Sequence, residues 1–308
     1  TAVSVLSGAA TCTTSAMAAG SHSFSASYSG DPVYVPTRVN MAHTVLPAAT
    51  GSVVNLSTRG AAGSGNDVLI GGFVIGGTTP KTVVITATGP SLAQAGIGNP
   101  LTNPTLTLVR SSDQATIAAN DDWGSAPNAS ALAATGLAPR DARESAIMVT
   151  LPPGAYTAIV NDANGAAGVA IVAVYEVDHP EAPLANISTR GPVLAGDDVM
   201  IAGFVIAGTA PRTVVITATG PSLAPMGISN ALANPTLSLV RSSDQAVVAT
   251  NDDWGTLPDA AQLQAAGLAP ADARESAIVA TLPPGAYTAI LSGAQASTGV
   301  GMIAVYAR

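Results

Sequence analysis

Lysine occurs once in this chain, at Lys81, and cysteine once, at Cys12. A lone cysteine excludes an intrachain disulfide and a thiolate zinc site, and reads as a small buried apolar residue. Aromatic side chains make up 4% of the 308 residues, with Trp123 and Trp254 the two tryptophans. Basic residues are also scarce, 11 against 19 acidic, for a net charge of -8. That balance repels phosphate backbones and argues against a nucleic-acid partner, while an acidic surface tolerates divalent cations. Hydrophobic residues reach 47%, yet no run of about eighteen apolar residues occurs, so membrane insertion is not expected. His22, His43 and His179 show no spacing that resembles a metal pair.

Ala, Gly, Ser, Thr and Val are abundant instead, a composition suited to short strands and many turns. It points to a secreted or cell-surface protein. Thr1 opens directly into strand-like sequence, so the chain is expected to be processed or part of something longer.

The dominant feature is an internal repeat. Trp123 and Trp254, Phe73 and Phe204, Arg143 and Arg274, and Tyr175 and Tyr306 each stand 131 residues apart. Aligned without gaps, 55–177 and 186–308 agree at about two thirds of their positions, and such a long period marks a tandem duplicated domain rather than a solenoid. Within each copy TVVITATG, PTLTLVR and PGAYTAIV read as strands rich in β-branched residues. TLTLVR alternates, which puts Leu106 and Leu108 on one face and Thr105 and Thr107 on the other. NASALAATG and DAAQLQAAG predict a short helix in each copy, ending at Gly136 and Gly267, where glycine accepts a left-handed cap. A shorter helical turn is expected after GPSLA. The expected fold is all-β: tandem β-sandwich domains with one or two short helices each, preceded by a partial immunoglobulin-like sandwich. The boundaries are 1–46 for the partial domain, 47–54 for a linker, 55–177 for repeat 1, 178–185 for a linker and 186–308 for repeat 2. Prolines in TVLPAATG and VDHPEAPL stiffen the connections, so the domains are expected as beads with limited swing.

In the first segment SHSFSASYSGD alternates serine with His22, Phe24, Ala26 and Tyr28, a strand with one dry face. With TAVSV, ATCTTS and VNMAHTV it makes four strands. The stretch GAATCTTSAMAAGSHSFSASYSGDPVYVPT resembles the C-terminal half of bacterial immunoglobulin-like repeat domains of secreted and surface proteins. Half a sandwich leaves a sheet face and its edges uncovered. Either an earlier part of a longer protein covers it, or strands of a neighbouring subunit do, which would make the chain a polymer unit with Phe24 and Tyr28 as assembly residues.

The repeats carry PTLTLVRSSDQ, NDDW, RESAI, TLPPGAYTAI and GVAIVAVY in order, an arrangement similar to the pre-peptidase C-terminal domain class of bacterial secreted proteins. They depart from it in the long opening from NLSTRG to GPSLA. The resemblance implies a β-sandwich that binds, anchors or spaces, with no catalysis.

NDDWG at 120–124 and 251–255 admits two readings. Asn120, Asp121 and Asp122, with Asn251, Asp252 and Asp253, supply oxygens suited to part of a calcium shell. Alternatively the motif is an Asx-turn, with Trp123 and Trp254 buried as structural plugs at the sandwich end. The turn is favoured, because the alternating spacing and terminal glutamate of an EF-hand are missing; no cofactor is required. Arg143 with Glu144, and Arg274 with Glu275, read as structural, partly buried ion pairs, with Arg59 and Arg190 near enough in kind to contribute charge. GPSL is not a nucleophile elbow. The sequons at Asn55, Asn128 and Asn186 carry no expected role.

Two near-identical domains without an acid, base and nucleophile trio fit repetition for reach or avidity. The expected function is a non-enzymatic extracellular structural protein, a fibre or surface-array subunit that self-associates into a homopolymer. The alternative is a surface- or substrate-binding tether of a larger secreted enzyme or adhesin, disfavoured by the few aromatics. The sequence names no ligand.

Overall fold

The alternation of PTLTLVR reappears as strand β6 (Pro104–Arg110), in which Leu106 and Leu108 are fully buried and the threonines between them only partly. It belongs to a computed structural model that describes residues 20–45, 52–178 and 184–307. The chain divides into two compact units, Thr1–Thr50 and Gly51–Arg308.

In the first unit β1 (Gly20–Tyr28) pairs antiparallel with β2 (Thr37–Val45). The register sets Phe24 opposite Met41, Ala26 opposite Val39 and His22 opposite His43. Directly opposed residues share a face, so Ser23, Ser25 and Ser27 lie on one side and Phe24, Ala26, Tyr28, Val39 and Met41 on the other. The further strands expected at TAVSV and ATCTTS, with Cys12, lie outside the described residues.

In the second unit, repeat 1 contributes β3 (Ser52–Ala62), β4 (Leu69–Ile75), β5 (Lys81–Thr88), β6, β7 (Thr116–Asn120), helix α1 (Ala129–Ala134), β8 (Ser145–Leu151), β9 (Gly154–Asp162) and β10 (Gly168–Glu176). Repeat 2 matches it element for element: β11 (Leu184–Val193), β12 (Met200–Ala207), β13 (Arg212–Thr219), β14 (Pro235–Arg241), β15 (Ala246–Asn251), α2 (Ala260–Ala265), β16 (Ser276–Leu282), β17 (Gly285–Gly293) and β18 (Gly299–Ala307). Both helices stop ahead of left-handed glycines, Gly136 at φ 74° and Gly267 at φ 68°, and the 3₁₀ turns expected at GPSLA form earlier in each repeat, at Pro90–Ala95 and Pro221–Met226. The expected all-β sandwich with few short helices is therefore what forms.

The arrangement of the repeats differs from beads on a string. Each repeat has its own pair of four-stranded sheets, β3-β10-β5-β8 facing β4-β9-β6-β7 in the first. The opening strands then pair across repeats, β3 with β12 and β11 with β4, fusing the four small sheets into two of eight strands. One continuous core runs through both repeats, from Leu69 and Phe73 to Met200 and Phe204. The boundary at 178–185 thus separates two sequence repeats but not two independent bodies. β11 already begins at Leu184 and β3 at Ser52, inside the expected linkers. The physical reason lies in the opening strands, whose second backbone edge would otherwise stay unpaired.

Two details hold the frame. Phe73 stacks on Tyr156 of the neighbouring strand at 5.6 Å between ring centroids, and Phe204 on Tyr287 at 5.7 Å. The tyrosine hydroxyls donate to the carbonyls of Pro152 and Pro283, each at 2.9 Å. The aromatic residue of LPPGAY therefore locks its own hairpin turn, leaving its polar end satisfied.

Candidate functional site

NDDWG closes β7 and turns the chain toward α1. Asn120 works as a latch: its Oδ1 accepts from the Ala146 amide at 3.0 Å, while its Nδ2 donates to the Asp122 carbonyl at 3.1 Å. Asn251 repeats both bonds with Ala277 at 2.9 Å and Asp253 at 3.1 Å. Ser145 Oγ lies between the carbonyls of Pro104 and Asp121, and the Trp123 amide donates to the Glu144 carbonyl at 2.9 Å. The turn is thus held by its own backbone and by two small polar side chains, but the asparagine oxygen accepts from β8 and not from an amide two residues on, so it differs from the expected Asx-turn.

The carboxylates of Asp121, Asp122, Asp252 and Asp253 stand on exposed residues. Partial burial, and then the charges of Asp122 and Asp162, push the Asp121 carboxyl above its ordinary value. Among the described residues no group of three or more His, Cys, Asp or Glu side chains is placed to hold a metal. The amide oxygens of Asn120 and Asn251 already accept backbone N–H groups, which leaves the turn fewer oxygens free to converge on an ion.

Trp123 and Trp254 are half-buried and sit outside the main core, correcting the expectation of buried plugs at the sandwich end. Trp123 covers a satellite cluster of Val84, Leu132 and Ala146 under α1, and Trp254 covers Val215, Leu263 and Ala277 under α2. The cause is visible in β5, which is buried on both faces: Val83 and Ile85 enter the shared core, while Val84 faces the helix. Trp254 Nε1 donates to the Asp272 carbonyl at 3.1 Å, whereas Trp123 Nε1 is buried without a hydrogen-bond partner. Replacing Trp123 by Ala should cost roughly 2–3 kcal/mol, below the 3–5 of a full core truncation. Chelator and added calcium should leave the melting temperature of the parent unchanged. A calcium-dependent shift of several degrees would count against the turn.

The arginine–glutamate pairs are not ion pairs. Arg143, with its side chain 59% exposed, forms a two-pronged bridge to Asp141 at 3.0 and 2.9 Å, and Arg274 does the same with Asp272. Those hydrogen bonds, from the guanidinium first and then the Arg274 amide, hold Asp272 down at about 2. Glu144 is fully buried, and backbone amides surround it. Oε1 accepts from Gly89 at 3.1 Å and Ser91 at 2.9 Å, and Oε2 from Asp141 at 3.4 Å. Glu275 accepts from Gly220, Ser222 and Asp272 in the same way, with Ser222 Oγ adding a bond at 2.9 Å. Both pairs sit in a tight turn just ahead of β8 and β16, closed by the Glu144 amide on the Asp141 carbonyl and the Glu275 amide on the Asp272 carbonyl, each at 3.2 Å, and it leaves the arginine outward and the glutamate inward. Gly89 is required there, because a Cβ would run into the Leu101 carbonyl. A cavity of about 340 Å³ opens beside Glu144, lined by Ser91, Arg140 and Tyr175 among others. With both oxygens engaged by N–H donors, this carboxylate serves as an internal anion for the GPSL turn.

Of the remaining charged candidates, Arg59 donates to the Asp197 carbonyl across the repeats. Asn55 and Asn186 lie on the fused strands with their side-chain oxygens buried. Asn128 donates to the Met148 carbonyl at 2.9 Å. A group missed by the charge pattern is Lys81, whose ammonium is completely buried, 3.3 Å from Glu176 and 2.8 Å from the Asp178 carbonyl.

Phe24 and Tyr28 are half-buried on the hairpin, and beside them Val39 and Met41 are 62% and 61% exposed. The Tyr28 hydroxyl donates to Asp31, whose other oxygen accepts from the amides of Val33 at 2.7 Å and Tyr34 at 2.8 Å. The Y-S-G-D turn is thereby clamped, and Val33, Tyr34 and Val35 project from it into solvent.

No protein-family model matches the chain, and no curated protein does. Among solved structures, a cryo-EM structure of the Sputnik virophage aligns over 100% of this chain and 90% of its own, at 10% identity and a TM-score of 0.13, a likeness too slight to carry any argument.

Proposed function

We propose that the chain is a non-enzymatic structural protein of a bacterial cell surface, a fibre or array subunit that self-associates through β contacts. The observation that carries this reading is the hairpin of the first unit: one face lined by serines, the other by Phe24, Ala26, Tyr28, Val39 and Met41, with the two β2 residues mostly in water. Contiguous exposed apolar surface marks interaction sites. Strand addition beside such a hairpin would satisfy its backbone edges while covering that face. The resemblance of this segment to bacterial immunoglobulin-like repeats supports the extracellular setting. The repeats fit a load-bearing role, since the buried carboxylates Glu144 and Glu275 hold backbone amides in place.

Filaments or ordered arrays are expected when the intact protein is concentrated and imaged by electron microscopy. Replacing Val39 and Met41 together by Ser, or deleting 1–46, should abolish them and leave the circular dichroism of the repeats unchanged. An intact protein that stays monomeric at high concentration, or a truncated one that forms the same polymer, would refute the proposal.

A further inference from the structure

The seam between the repeats is its own complement. Where β12 meets β3, Gly203 stands opposite Ser57, Ala202 opposite Thr58 and Ile201 opposite Arg59. Where β4 meets β11, Gly72 stands opposite Ser188, Gly71 opposite Thr189 and Ile70 opposite Arg190. Each pairing is the other moved by one repeat. Even the irregularity in register recurs, at Val205/Ile206 in one ladder and Leu184/Asn186 in the other.

Between the two ladders Thr189 Oγ1 donates to Thr58 Oγ1 at 2.7 Å, both residues fully buried. These are equivalent positions of the two repeats, and a residue meets its own counterpart only on a two-fold axis. Gly60 and Gly191 flank that axis, and a Cβ on either would come within 3.0 Å of Leu69 Cδ1. Close approach is therefore demanded in both halves.

We infer that the seam is an isologous dimer surface which this chain closes on itself, and that a second copy of the chain is its alternative partner. The seam's serine, threonine, arginine and close-approach glycines recur in each repeat, with only small apolar exchanges such as Gly71 for Ala202 and Leu69 for Met200, so the edges β3 and β4 of one molecule meet closely similar chemistry on the edges β11 and β12 of another. The connector of five residues between Asp178 and Leu184 decides the outcome, because a short tether raises the effective concentration of the internal partner to the millimolar range. Remove that advantage and the seam forms between molecules, as exchanged dimers or an open run of chains. This surface lies in the repeats alone and is independent of the hairpin invoked above.

The test uses full-length protein carrying Cys12→Ser, Thr58→Cys and Thr189→Cys. With the connector intact, oxidation should link the two cysteines within one chain, which runs as a monomer on a denaturing gel. With 180–182 deleted, the native mass should at least double and the cross-link should join different chains. In a third form, which keeps Thr58 and Thr189, a protease site replaces 179–183; after cutting, the halves should co-elute at the parent mass under native conditions and separate in denaturant. A shortened chain that is folded and monomeric would overturn the inference, as would cut halves that part spontaneously. Should the shortened chain fail to fold, the cut form alone decides.

Discussion

Replacing Glu144 by Ala should lower the stability of the second unit by about 3–6 kcal/mol, since it strands the buried Gly89 amide and the part-buried amides of Ser91 and Asp141 at roughly 1–2 kcal/mol each. Domains of ordinary stability hold only about 5–15 kcal/mol, so the variant should sit close to unfolding at room temperature. Glu144→Gln retains one oxygen but turns an NH₂ toward N–H donors, and should lose about half as much. The contrast that identifies the mechanism is Arg143→Ala. Were Glu144 held by its neighbour's charge, the two losses would be alike; with the amide cradle, removing an exposed bridge to Asp141 should cost under about 1 kcal/mol. Urea midpoints of the three variants measure this, and a Glu144→Ala loss no larger than that of Arg143→Ala would sink the assignment.

Lys81 should be nearly as sensitive. Its ammonium is fully buried against Glu176 and the Asp178 carbonyl, and removing one partner of a buried pair costs about 3–5 kcal/mol. Lys81→Met keeps the length and drops the charge, leaving Glu176 with the Leu184 amide at 3.1 Å. Burial already pushes the Glu176 carboxyl above its ordinary value, while the Leu184 amide and Lys81 pull it back. A carboxyl raised in the folded state binds its proton more tightly there, so the contribution of Glu176 to stability is greatest at acid pH. It declines as pH climbs from the ordinary carboxylate value through the raised one. Without Lys81 that decline should steepen, and Lys81→Met should recover part of its loss on acidification from pH 7 toward 5. Adding Glu176→Leu should restore stability at neutral pH and abolish the difference. A loss that is flat with pH would assign Lys81 to packing alone.

Much of the frame was legible because side-chain periodicity reports faces. Leu106 and Leu108 announced a half-buried strand, Gly136 and Gly267 announced helix ends, and the constant offset of 131 announced two copies of one fold. Edges are a different matter. Ser57, Thr58 and Arg59 alternate in the same way whether β3 has one neighbour or two, so nothing in NLSTRG says that β12 will lie beside it. Its position gave a hint: the opening from NLSTRG to GPSLA, which precedes the PTLTLVR, NDDW and RESAI motifs, holds the strands that fuse the repeats. The glutamates were misjudged for a related reason. Arg143 beside Glu144 suggests a salt bridge when charges are counted along the chain, but the donors that hold Glu144 are backbone amides, which no sequence displays. Gly89 was the available sign, a residue without a Cβ at the point where the turn passes the Leu101 carbonyl.

The placement of β3 and β18 has a mechanical consequence. Neither is an edge strand: β3 lies between β12 and β10, and β18 between β11 and β13. Tension entering through one and leaving through the other cannot peel a sheet open one hydrogen bond at a time. It must make the ladders on both flanks slip together, so the load is shared by many bonds in shear, and the unit should resist stretching far better than its equilibrium stability alone would suggest.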